Sequence, residues 1–172
     1  MELLRRALAP WYARQDAKAE RDLRDWYEAC QVVLKTSIQA LQDPQLPRGD
    51  IGVPLDRIDR ALFRLRDSGP GAQRGLRQGD PELGARMRLL SEAIVDLRND
   101  AVRFLIRAQG ATPPFLAGEV GRSRQAEAYQ RAMRDVGQAA LLDSGVIERD
   151  LRRLWADLQP TLLRLGGRSA QT

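Results

Sequence analysis

The stretch 80-DPELGARMRLLSEAIVDLRNDAVRFLIRAQG-110 reads as one helix from cap to cap. Asp80 is a good N-cap, Pro81 suits the first helical position, Glu82 complements the positive end of the helix dipole, and Gly110 supplies a left-handed stop. Between these ends Leu83, Met87, Leu90, Ile94, Leu97, Ala101, Phe104 and Ala108 recur at alternating steps of four and three. That is one apolar stripe along a rod about 43 Å long. A second row, Val95, Val102 and Ile106, lies roughly 100 to 140° around the axis, so the C-terminal half should touch partners on two sides. This is the pattern of a central helix in a bundle.

Outward from it, the segment before Asp80 reads as a loop, Ser68 to Gly79, punctuated by Gly69, Pro70, Gly71, Gly75 and Gly79. A short helix from Pro54 to Asp67 precedes that loop, with Leu55, Ile58, Leu62 and Leu65 as its buried edge. Pro44, Pro47, Gly49, Gly52 and Pro54 mark another loop. Before it, a long helix from Trp11 to Leu41 places Leu23, Trp26, Tyr27, Cys30, Val33, Leu34, Ile38 and Leu41 on one face. Its polar first turns, Arg14 to Asp22, are expected to project past the core into solvent. Residues 3–11 form a short amphipathic helix that Pro10 cuts or kinks near its end.

On the other side, Thr112, Pro113, Pro114 and Gly118 mark a loop, with Phe115 and Leu116 expected against a bundle end. Helical spacing then resumes near Ser123. The local sequence Asp143-Ser144-Gly145 looks like a turn, yet the rows 133, 140, 147, 154 and 137, 144, 151, 158 keep their phase across it. Ser144 and Gly145 weaken a helix by only about 1 to 1.5 kcal/mol. The phase therefore favours one helix from Ser123 to Gln159 over a hairpin, with Pro160 restarting a last turn through Leu162, Leu163 and Leu165. No period-two alternation, hairpin signal or solenoid repeat is present. The expectation is all-α: three long helices and two short ones, roughly antiparallel, in a single domain over 1–167 with a disordered tail from Arg168.

Composition narrows function by exclusion. The 172 residues contain no histidine, which removes Ser-His and Cys-His pairs and His-containing metal sites. The single Cys30 falls in an apolar stripe and reads as an inert core thiol. No apolar run is long enough to span a bilayer, and charges interrupt the N-terminal apolar residues, so neither a membrane span nor a secretory signal is expected and the reading is cytoplasmic. Two carboxylate sets, Asp22, Asp25, Glu28 and Glu92, Asp96, Asp100, lie on helices without converging inward as metal ligands of a bundle do. The second set is expected to be solvated and partly paired with Arg88 and Arg103. The glycine-rich loop has no Lys-Ser/Thr ending and no preceding strand, so it does not match a phosphate cradle. No cofactor, metal or catalytic residue is expected.

Two surfaces remain. Net charge is +5, carried by 26 Arg and 2 Lys, and Arg57, Arg60, Arg64, Arg74 and Arg77 belong to the most basic segment. These arginines are the candidate contacts to an anion or nucleic acid if the bundle joins them to Arg122–Arg134 and Arg149–Arg153. No exposed aromatic platform accompanies them, and the interleaved charges also suit a plain solvated face. The second surface is Leu3, Leu4, Leu8 and Trp11, whose apolar face exceeds what three helices need to bury. The leading expectation is a non-enzymatic module that associates with a protein partner or with itself, as a dimer. The alternative is a sequence-independent nucleic-acid-binding accessory protein.

Overall fold

The computed structural model describes the backbone of residues 2–42, 52–77, 80–110 and 120–169. Side chains are described there except at 2–12, 54, 75, 77, 107–110, 120–130, 132–134, 168 and 169. Every described element is helical: α1 Glu2–Gln42, α2 Gly52–Arg77, α3 Pro81–Gly110 and α4 Val120–Ser169. All-α is therefore correct, but the expected five elements are four. The short helix at 3–11 is the start of α1, which runs across Pro10 without a break. The short helix from Pro54 is a full-length α2 that continues through Pro70 to Arg77, so most of the expected Ser68–Gly79 loop is helix. α4 is one rod through Asp143-Ser144-Gly145 and Pro160, and it reaches two residues into the expected tail. The 112–118 loop with Phe115 and Leu116 lies outside the described residues, as do 43–51.

The start of α3 follows its sequence closely. The Leu83 N–H donates to Asp80 Oδ1 at 3.2 Å, satisfying one of the orphan donors of the first turn. The Asp80 N–H in turn donates to the Leu76 carbonyl at 2.7 Å, so a single residue closes α2 and caps α3. The end of α3 differs. Gly110 is its last helical residue, and no described glycine has a positive φ, so the left-handed stop is not formed there.

Contacts between neighbouring helices run in opposite order, which fixes the topology. Along α1 and α4, Gly166 lies against Glu20, the Tyr27 ring stacks on Trp155 at 4.0 Å between centroids, and Ile38 shares a groove with Leu151. Along α1 and α2, Asp22 lies against Gly71, and Val32 shares a groove with Ala61. Between α2 and α3, Leu76 faces Gly84 and Asp59 pairs with Arg98. Between α3 and α4, Arg86 pairs with Asp157 at 2.7 Å and Phe104 lies against Gly137. Each of these four pairs is antiparallel, which leaves α1 and α3, packed across the diagonal, parallel to each other. These two pack against all three other helices, whereas α2 and α4 barely meet. The central role expected of α3 is thus shared with α1.

The buried rows meet along that α1–α3 diagonal. Leu23, Trp26, Cys30 and Val33 of α1, Met87, Ile94 and Leu105 of α3, and Leu151, Leu154 and Leu158 of α4 form one apolar cluster with Ile58 and Leu76 of α2. The α4 rows that kept phase across the apparent turn are its buried seam: Ala140, Ser144, Leu151, Leu154 and Leu158 are all buried. Ser144 fits because its Oγ donates to the Leu141 carbonyl at 2.7 Å in its own helix.

Among the described residues, two buried side-chain polar atoms lack partners, Ser37 Oγ and Arg98 Nε. Arg98 has compensation, since its other guanidinium nitrogens donate to Asn99 and Asp59. Ser37 has none, and it is fully buried. Replacing it with Ala removes a desolvated hydroxyl and adds helix propensity. Ser37→Ala is expected to raise stability by about 1 kcal/mol, or about 2 to 4 °C in a thermal melt. A melt lowered by the substitution would mean that the hydroxyl is bonded in solution.

Candidate functional site

Among the described residues no group of three or more Asp, Glu or Cys is placed to hold a metal ion. On α3, Glu92 lies 4.0 Å from Arg88 and Asp100 lies 3.6 Å from Arg103, both as exposed intrahelical pairs of the kind expected. On α1, Asp25 and Glu28 line a shallow groove against α2, where Arg64 and Asp67 face them. Asp22 stands apart at Gly71, so a Cβ on that glycine would fall on its carboxylate. The acids of α1 are thereby spread along a seam beside an arginine.

The arginine candidates divide. Arg57, Arg60, Arg64 and Arg74 are all exposed on α2, and the side chain of Arg77 lies outside the described ones. Arg57, Arg60 and Arg64 share one outward face, as their spacing implies. That face is mixed in sign: Arg60 bonds Asp56 at 3.2 Å, and Arg64 borders Asp25, Glu28 and Asp67. On α4, Arg152 pairs with Glu148, and Arg153 lies 4.0 Å from Asp150. α2 and α4 barely meet, so the basic segment of α2 and Arg149–Arg153 stand on helices that are not direct neighbours. The side chains of Arg122–Arg134, apart from Arg131, lie outside the described ones. Compared with protein-family models, curated proteins and solved structures, the chain matches none.

The apolar candidates sit at one end of the bundle. The side chains of Leu3, Leu4, Leu8 and Trp11 lie outside the described ones, but their backbone is the first three turns of α1. The register places them. Glu20 is level with Gly166, Asp22 with Gly71, and Trp26 with Ser91. Carried back along α1, this sets Asp16 level with the ends of α2 and α4 and with the first turn of α3. A straight continuation of α1 would carry residues 2–15, about 20 Å of helix, beyond the described ends of the other three helices.

Arg14 to Asp22 is not wholly solvated: Ala19 packs on the core, and Asp16, Ala17, Glu20 and Asp22 are half-buried. Charge alone points Glu20 and Asp22 to solvent, so the polarity of these turns does not reveal their contact with the neighbouring helices. The signal that could have placed them is the glycines at 71 and 166, which let carboxylates approach a neighbouring helix closely. No described helix is long and apolar enough to cross a membrane.

Proposed function

We propose that the protein is a non-enzymatic association module whose contact element is the projecting start of α1, and that it pairs there with a second copy. The observation that supports this reading is the register, which sets the described ends of α2, α3 and α4 near Asp16, so that a straight α1 would carry residues 2–15 past them. That segment holds Leu3, Leu4, Ala7, Leu8 and Trp11 at helical spacing. A stripe of this kind is stable in water chiefly when another apolar surface covers it, since an isolated helix of about 14 residues is marginal. Two-fold pairing of two such segments would supply that surface. The outer face of α4 adds exposed apolar area, with Leu142 and Leu163 both 76% exposed and Val146 one turn from Leu142.

Sedimentation velocity tests the reading. The expected result is a dimer at micromolar concentration that the double substitution Leu4→Glu and Leu8→Glu converts to a monomer. Loss of two buried leucines should weaken pairing by about a hundredfold or more. Because neither position lies beside the α1–α3 core, far-ultraviolet circular dichroism of the bundle should persist. A wild-type chain that sediments as a strict monomer up to about 100 µM would overturn the proposal.

A further inference from the structure

On the α1–α4 face, on the same side as the Tyr27–Trp155 stack, the two helices part to leave a groove of about 510 Å³. The volume lies within the usual range for small-molecule sites, about 300 to 1,000 Å³. Its apolar lining is Tyr27, Leu34 and Ile38 of α1 with Leu151 of α4. Leu34 and Leu151 are buried, while Ile38 is half-buried and accessible.

The polar lining is asymmetric in charge. Arg152 is already paired with Glu148. Lys35, exposed one turn from both Gln31 and Gln39, has no salt bridge among the described residues. Gln31 is engaged, donating to the Tyr27 hydroxyl at 3.1 Å, whereas Gln39 and Gln42 carry no side-chain bond among those described. An apolar floor beside one free ammonium and two free carboxamides complements a molecule with an apolar body and an anionic, hydrogen-bonding head. We infer that this groove binds an amphipathic carboxylate, its chain over Leu34, Ile38 and Leu151 and its head at Lys35 and Gln39.

The test is a titration of the full ¹⁵N-labelled chain with sodium decanoate and, separately, with decylammonium chloride, followed by amide shifts. Decanoate is expected to produce saturable shifts at Lys35, Gln39 and Gln42, including the glutamine side-chain amides. Decylammonium, with the same chain and opposite charge, should bind at least about tenfold more weakly. Lys35→Glu, an exposed change that leaves the core intact, should weaken decanoate at least about tenfold. Ile38→Gln should weaken both ligands. The inference fails if decanoate gives no saturable shift by about 1 mM, if the two ligands bind alike, or if Lys35→Glu binds decanoate as the wild type does. It also fails if those amides move on dilution alone, since a second copy would then occupy the groove.

Discussion

Trp26→Ala is expected to lower stability by about 3 to 5 kcal/mol, which corresponds to roughly 6 to 20 °C in melting temperature. Among the described residues Trp26 is the largest fully buried side chain, and it stands on the α1–α3 diagonal, where the two helices that touch all others meet. Its indole N–H donates to Ser91 Oγ at 2.9 Å, and that hydroxyl donates onward to the Met87 carbonyl at 2.9 Å. Truncation leaves a cavity bounded by rigid helices, which relax little into it. The hydrogen bond separates into its own comparison. Ser91→Ala strands a buried indole N–H and should cost about 1 to 3 kcal/mol, while Trp26→Phe removes the donor and leaves Ser91 still bonded to Met87. Chemical denaturation of the three variants checks the order, with Trp26→Ala the most damaging. A Trp26→Ala protein that melts within about 2 °C of wild type would place the centre of the core elsewhere.

The same diagonal shows what sequence periodicity conveys and what it does not. Of the α3 stripe, Leu83, Met87, Leu90, Ile94, Leu97 and Ala101 are all buried, because a seven-residue apolar repeat tracks a packed helix face. At its end Leu105 takes the buried place expected of Phe104, which is half-buried against Gly137, and Ala108 lies outside the described side chains. A step of four from Ala101 is as compatible with helix geometry as a step of three, so spacing alone did not separate the two. The second row divides likewise: Val95 and Val102 pack on the core, while Ile106 is exposed.

α2 was misjudged for a different reason. Gly69, Pro70 and Gly71 are poor helix formers, and propensity read them as a loop. Ala72 and Leu76, both fully buried beyond them, draw the chain onward as helix. Ser68 Oγ bonds back to the Arg64 carbonyl at 2.9 Å, and Gly71 leaves room for the Asp22 carboxylate. Propensity is local, whereas the packing that overrides it depends on α1 and α3, which no window over α2 contains. The start of α1 is a parallel case: its apolar row is plain in the sequence, but where the described ends of the other helices fall along α1 follows only from register.

Cys30 gives the largest effect on a rate. The thiol is fully buried, and desolvation of the thiolate raises it well above the ordinary thiol range. Alkylation requires the thiolate in contact with solvent, so native protein should react with iodoacetamide at least about a thousandfold more slowly than unfolded chain, through opening of the core. The same burial sets a pH dependence whose sign is fixed. Below about pH 8.5 the thiol is protonated in both states and contributes nothing. Above it the unfolded chain loses a proton that the folded chain keeps, so the contribution to unfolding free energy falls by about 1.4 kcal/mol per pH unit. Tyrosines and lysines also titrate there, which is why the comparison is with Cys30→Ala: subtracting its denaturation profile between about pH 8 and 10 should leave the thiol's slope alone. Parallel profiles, or alkylation of the native protein within about tenfold of the unfolded rate, would show Cys30 in reach of water and α1 rotated away from the diagonal it shares with α3.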